Sequence, residues 1–272
     1  MSPGEYNVMT LPPRPDPNGK RVSFFVTCIM DMIYPDTGMS VVKILERLGV
    51  EVDFPMNQTC CGQPGFNAGY HHESRQVAKQ FLTAFANAEV IVTASGSCAT
   101  MVRHEYPKLF AAEPDWFSKA EHAASITWEF TEFIVNGLGV EDLNLRLPHE
   151  QTFAFHDACH GLRLLDLSGE GRKLLGNVEN ANVSELNECD VCCGFGGLFS
   201  VKMSDVSAAM LAKKINNINA CPADTIAIGD SSCLMQINGG LSRQKSKKRA
   251  RHIADILADG LTEIQKGSSD GD

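Results

Sequence analysis

Cys192-Cys193-Gly194-Phe195-Gly196-Gly197 lies in the second half of a 272-residue chain, and Cys60-Cys61-Gly62-Gln63-Pro64-Gly65 lies in the first. Around each pair the other cysteines keep the same distances. Cys28 precedes Cys60 by 32 residues and Cys159 precedes Cys192 by 33; Cys98 follows Cys61 by 37 and Cys233 follows Cys193 by 40. Ser97-Cys98 is matched by Ser232-Cys233. Two series of four that agree in order, spacing and neighbours point to an internal duplication.

Local patterns give each cysteine the same address in both halves. Residues 22–26 and 152–155 are short β-prone apolar runs that reach Cys28 and Cys159 within a few positions. After each pair comes a helical period: Val77, Phe81, Ala84, Phe85 and Ala88 in one half, Ala208, Leu211, Ile215 and Ile218 in the other. Further apolar runs, 90–94 and 225–228, end close to Cys98 and Cys233. Val41, Ile44, Leu45 and Leu48, stopped by Gly49, form a helix crossing from the first strand to residues 51–54. Alternating strands and helices imply an α/β chain of two similar Rossmann-like halves, each a mainly parallel sheet with flanking helices. Loops beyond the carboxyl ends of such strands form a ligand crevice, so the four thiols of a half can converge. Helices around residues 130–135 and 253–257 close the halves. The expected organisation is a flexible tail over 1–20, a first repeat over 21–137, a linker over 138–150, a second repeat over 151–264 and a flexible tail over 265–272.

Composition narrows the partners. At 43% hydrophobic and 21% charged residues the chain is ordinary for a globular protein. Its size allows about three-quarters of the unfolded surface to be buried. A net charge of -9 supplies no basic field for nucleic acid. No run of 18 apolar residues is present, so no transmembrane segment is expected, and the Pro-rich start lacks the order of a secretory signal. A cytoplasmic location follows. Ten cysteines in a reducing compartment then point to metal or redox chemistry.

Four converging thiolates suit an iron-sulfur cluster or zinc. Zinc knuckles pair cysteines two to four residues apart, and the repeated cysteines form no such pairs. Adjacent cysteines serve one centre where the loop bends sharply, and Gly62 and Gly194 supply the bend. A multi-iron cluster, of 4Fe-4S type in one or both halves, is the better match; zinc in one half stays open.

The pattern Cys28, Cys60-Cys61-Gly62, Cys98 and Cys159, Cys192-Cys193-Gly194, Cys233 resembles the duplicated cysteine-rich (CCG) domain of heterodisulfide reductase. The iron-sulfur subunits of glycolate oxidase and anaerobic glycerol-3-phosphate dehydrogenase share it. Phe155-His156-Asp157-Ala158-Cys159-His160, Ser95-Gly96-Ser97-Cys98 and His252-Ile253-Ala254 bring the likeness, over about residues 20–262, to the lactate utilization protein A family. That resemblance implies iron-sulfur binding and an oxidoreductase subunit for L-lactate oxidation to pyruvate. It also implies a ferredoxin-type iron-sulfur subunit and a further subunit as partners. There is one departure: the reductase ends each half in cysteines three apart, whereas Met101 and Gln236 stand at those places here. The missing fifth thiols argue against the reductase's non-cubane clusters and its direct cleavage of a disulfide.

Beside the eight cysteines, His160 is the candidate catalytic side chain, able to act on Cys159 as ligand, proton donor or thiolate stabiliser. His156 is a weaker candidate for the same place. Asp157 could orient either ring but reads by default as a helix cap, His71-His72 read as surface, and Cys189 and Cys221, whose counterparts are Asn57 and Ala86, as core or incidental thiols, although Cys189 with Cys192 and Cys193 could bind a metal or exchange disulfides. The basic run from Arg243 to Arg251 is a solvated face, a docking patch for an acidic electron-transfer partner or a grip on a substrate carboxylate. No Walker loop, dinucleotide fingerprint or nucleophile elbow is present. Two rival functions remain: a thiol-disulfide oxidoreductase using Cys60-Cys61 or Cys192-Cys193, and a zinc-binding scaffold.

Overall fold

The computed structural model describes residues 14–269 of the chain. Strands β1 (Val22–Phe24), β2 (Val52–Asp53), β3 (Val90–Thr93) and β4 (Thr127–Glu129) form one sheet in the order β2-β1-β3-β4. Strands β5 (Arg146–His156), β6 (Glu179–Ser184), β7 (Thr225–Ile228) and β8 (Arg249–His252) form a second in the order β6-β5-β7-β8. Every pairing is parallel. The two sheets thus repeat one α/β plan, as the duplicated cysteines imply.

Parallel strands covered on both faces read as continuous apolar runs, and β3 is buried at all four residues. Its side chains alternate: Val90 and Val92 enter a core shared by the two halves, while Ile91 enters an outer core of the first half. In β7, Ala227 faces the shared core, and Ile226 and Ile228 an outer core of the second half. The helix Ile253–Ser269 lies against the helix Pro35–Arg47, where Thr37 Oγ1 donates to Asp255 at 2.8 Å.

Strand order decides where a ligand goes. From β1 the chain crosses to β2 on one side and returns to β3 on the other, so the loops leaving β1 and β3 part company and open a crevice. The same switch occurs between β5 and β7. The two crevices face each other. Ser95, after β3, bridges Asp230, after β7, and a Cβ on Gly96 would stand 3.2 Å from the Cα of Gly161.

Some boundaries differ from the sequence reading. The segment read as a linker is built into the core: Leu143, Leu145 and Leu147 are buried, and β5 begins at Arg146. Residues 14–20 pack on the first half, with the Arg14 guanidinium 3.6 Å over the Trp128 ring and paired to Glu132. Residues 1–13 and 270–272 lie outside the described residues. No helix among the described residues is long and apolar enough to cross a membrane.

Candidate thiol centres

Each centre is assembled by three segments. In the first half, Cys28 opens the helix Cys28–Ile33 just beyond β1, and Cys98 lies in the helix Gly96–Thr100 just beyond β3. Between them comes the bend at Cys60-Cys61-Gly62, where Gly62 is left-handed with φ 83°. That conformation favours glycine and turns the Gly62 N–H back onto Cys60 Sγ at 3.4 Å. Cys28 Sγ then lies 3.4 Å from Cys60 Sγ, and Cys61 Sγ 3.5 Å from Cys98 Sγ.

The second half repeats the arrangement. Cys159 opens the helix Cys159–Leu165 after β5, Gly194 has φ 84°, and its N–H donates to Cys192 Sγ at 3.4 Å. Cys193 Sγ lies 3.3 Å from Cys233 Sγ. Cys233 belongs to the helix Ser231–Arg243, whose N-cap Asp230 accepts from the backbone of Ser232 and Cys233.

The thiols within a row are electrostatically unequal. Donation by the Cys28 thiol, then by Cys61, holds Cys60 well below the ordinary thiol range; Cys159 and Cys193 do the same for Cys192. Cys28 and Cys159 are pushed up by their bonds to those sulfurs and by burial. Each half therefore offers one ready thiolate, steadied by a backbone N–H, and thiolates are the species that bind soft metals.

The remaining sequence candidates are spread around the second centre. His160 is half-buried, with Nδ1 3.6 Å from Cys159 Sγ. His156 is fully buried and its Nδ1 donates to the Cys189 carbonyl at 3.0 Å. Because a carbonyl only accepts, Nε2 is left as a bare acceptor, and it has no partner among the described residues. Burial, reinforced by nearby Lys214, pushes this imidazole down to about 4. Asp157 does not cap the following helix; it takes a two-pronged bond from Arg172 at 2.6 and 3.1 Å. Cys189 is half-buried and Cys221 buried, both outside the rows. His71 and His72 are exposed. In the basic run, Lys248 Nζ donates to the carbonyls of Cys221 and Ala223 and Arg251 pairs with Asp259, while Arg243, Lys245, Lys247 and Arg249 are exposed.

Two cavities open at the seam. One, of about 380 Å³ with its mouth, is lined by Cys28, Cys60, Cys61 and Cys98 and by Phe195 and Gly197 of the other half. The other, of about 410 Å³, is lined by Glu129, His156, Asp157, Gly96 and Gly161.

With two repeated thiol rows on two repeated sheets, comparison with known proteins is direct. The cysteine-rich domain family (CCG) matches residues 22–103 and again 153–238. Lactate utilization protein A 1 of Bacillus anthracis is 45% identical over 241 residues, covering 89% of this chain and 99% of that protein. Lactate utilization protein A of an Exiguobacterium species is 45% identical over 242 residues, covering 88% and 98%. The chain belongs to the lactate utilization protein A family. A hypothetical protein from Helicobacter pylori, known by its crystal structure, aligns with a TM-score of 0.55 at 12% identity over 92% of this chain and 50% of that one. It shares the fold.

For a member of the lactate utilization protein A family built on two cysteine-rich repeats, the donor set is what matters. Among the described residues no three or more His, Cys, Asp or Glu side chains are gathered as a site for a metal ion. The sulfurs instead meet in pairs, Cys28 with Cys60 and Cys61 with Cys98 in the first half and Cys193 with Cys233 in the second, each half having one ready thiolate. By number and softness these donors suit a thiolate-bound metal or cluster.

Three contributors escaped the sequence reading. Asp230 ties the two halves together beneath the thiols, Glu129 lines the seam, and Lys214 lies fully buried under the second centre. Lys214 was legible: it sits three residues after Leu211 and four before Ile218, on the apolar stripe of its helix.

Proposed function

We propose that this chain is a cytoplasmic iron-sulfur redox subunit of a multi-protein system that oxidises L-lactate to pyruvate. The observation that carries the reading is the pairing of repeated cysteines, Cys28 with Cys60, Cys61 with Cys98 and Cys193 with Cys233, beside the strand-switch crevices. The repeats 21–137 and 151–264 would each hold one 4Fe-4S cluster, the first through Cys28, Cys60, Cys61 and Cys98, the second through Cys159, Cys192, Cys193 and Cys233. The pathway is supported by the names of the relatives. A bound cluster supplies a one-electron acceptor.

The chain's own part is to shield and poise. Cys61, Cys98, Cys193 and Cys233 are buried, so each centre has a dry side, while Cys28, Cys60, Cys159 and Cys192 are half-buried. Gly62 and Gly194 N–H groups steady one sulfur in each row. His160, beside Cys159, is placed to hold or release a proton at Nδ1. Oxidation of an alcohol carbon to a ketone gives up two electrons and two protons, so a ferredoxin-type subunit and a further subunit of the same system complete the electron path.

Sulfur pairs at 3.3–3.5 Å favour a second reading, thiol-disulfide exchange by the metal-free protein. One experiment separates the two. Iron, acid-labile sulfide and zinc are measured on anaerobically purified protein, with electron paramagnetic resonance spectra before and after dithionite. About four or eight iron with matching sulfide and a reducible signal is the expected result. Zinc alone overturns the cluster assignment, and metal-free chains with titratable low-pKa thiols establish the exchange reading.

A further inference from the structure

Duplication gives residues of one half counterparts in the other, and at one pair of positions beneath the centres the chemistry is inverted. Phe25 lies three residues before Cys28, and His156 three before Cys159. Ser74 Oγ donates to the Gly62 carbonyl at 3.2 Å and Ser207 Oγ to the Gly194 carbonyl at 2.7 Å, which registers the following helices. Seven residues beyond those serines stand Phe81 and Lys214.

In the first half Phe25 and Phe81 meet edge to face with centroids 4.9 Å apart, and Tyr106 packs on Phe81 at 5.5 Å. In the second half an imidazole and an ammonium fill the same two places, both 0% exposed. They converge on one acceptor: the Cys189 carbonyl takes His156 Nδ1 at 3.0 Å and Lys214 Nζ at 3.1 Å. Lys214 Nζ also donates to the Glu188 carbonyl at 2.7 Å and makes no ion pair among the described residues.

Burying an ammonium on carbonyls alone is costly. The first half shows that this fold closes with an aromatic pair in the same places. Lys214 and the sulfurs of Cys193 and Cys233 lie within each other's field, and positive charge in a low-dielectric site favours whichever state of a centre carries more electrons. Asp230, the buried carboxylate nearby, bonds to Ser97 N of the first half and Cys233 N of the second, and its negative field opposes that of Lys214 at Cys233 and is the larger of the two there.

We propose that Lys214, anchored with His156 on the Cys189 carbonyl, raises the electron affinity of the second thiol centre against the opposing charge of Asp230. The proposal rests on the second row holding a cluster. No bond is made or broken; the charge sets how readily the centre takes up its electron.

The test is a redox titration of anaerobically purified protein followed by electron paramagnetic resonance, after iron and sulfide are counted. Wild type is compared with Lys214→Met, Lys214→Arg and the double variant His156→Phe with Lys214→Phe, whose pair copies the native packing of the first half. The second-centre signal is the one that Cys233→Ser perturbs. Lys214→Met and the double variant should move its midpoint potential down, and Lys214→Arg should leave it in place. A second-centre potential that stays put in both charge-removing variants overturns the proposal while leaving cluster binding intact. Wild-type protein without iron overturns the cluster reading and this proposal together.

Discussion

Ser95 and Asp230 occupy equivalent loop positions of the two halves and meet at the seam, their backbones bridged and Ser95 Oγ donating to the Asp230 carboxylate at 3.0 Å. The same carboxylate accepts from Ser97 N at 2.9 Å, from Ser232 N at 3.0 Å and from the Ser232 hydroxyl. Burial raises the pKa of Asp230, but the hydrogen bonds from Ser232, Ser97 and Ser95 outweigh it and hold the carboxyl below its usual value. One side chain thus caps the helix that carries Cys233 and pins the loop that carries Cys98.

Asp230→Ala removes the cap and strands several buried donors, which should cost about 2–4 kcal/mol. Asp230→Asn, retaining one acceptor oxygen, should cost less. Thermal unfolding of the two variants checks the order. Equal stability of Asp230→Ala and wild type would show that the seam does not depend on this carboxylate.

Glu129 gives the seam a pH dependence. Burial pushes its carboxyl up to about 8, against the pull of hydrogen bonds from Thr131 and the backbone of Glu132. The folded chain therefore keeps a proton there that the unfolded chain releases near pH 4.5. The stability this group contributes is complete below that pH and is lost as pH rises through about 8, a loss of about 3–5 kcal/mol at its limit. Glu129→Gln keeps an acceptor for Thr131 N but cannot ionise. Melting temperatures measured from pH 5 to 8 should fall for wild type relative to Glu129→Gln, and parallel curves would remove Glu129 from the account.

The two bend glycines should tolerate a methyl group differently. Both are left-handed, which alone costs an alanine about 1–2 kcal/mol. A Cβ on Gly62 would sit 3.4 Å from the Ser74 carbonyl, an ordinary contact, whereas one on Gly194 would sit 2.7 Å from the Ser207 carbonyl. Gly194→Ala should therefore lose about 2–4 kcal/mol and Gly62→Ala about half of that. Urea unfolding of the pair gives the ranking.

The repeated cysteines, the helix stopped by Gly49 and the strands ahead of Cys28, Cys98, Cys159 and Cys233 were legible because each is a local pattern. The outer strands β4 and β8 were not. Thr127-Trp128-Glu129 and Arg249-Ala250-Arg251-His252 carry polar groups that resemble solvated sequence, and the fold gives two of those groups inward partners: Glu129 with Thr131 and His252 with the Ala94 carbonyl. Residues 138–150 depart from a linker for a related reason. Leu143, Leu145 and Leu147 are spaced like a strand, but only the shared core between two sheets gives them something to be buried against. Pairing across the seam is likewise a tertiary fact: nothing near Ser95 in the chain announces Asp230.

Loss of single thiols should divide the cysteines into three groups. Cys61 and Cys98 touch in the first row, Cys193 and Cys233 in the second, and Cys189 and Cys221 belong to neither. With one cluster per half, Cys98→Ser should lower iron and sulfide by up to about half while the second centre keeps its signal, and Cys233→Ser should do the reverse, because a four-iron cluster short of one thiolate is held less firmly. Cys189→Ser and Cys221→Ser should retain full iron. Cys221 Sγ reaches only the Glu185 carbonyl at 3.8 Å, and Cys189 acts through its carbonyl, which a serine keeps. Iron analysis of the four variants checks the grouping; an iron loss in Cys189→Ser as large as in Cys233→Ser would move Cys189 into the second centre and break its equivalence with the first.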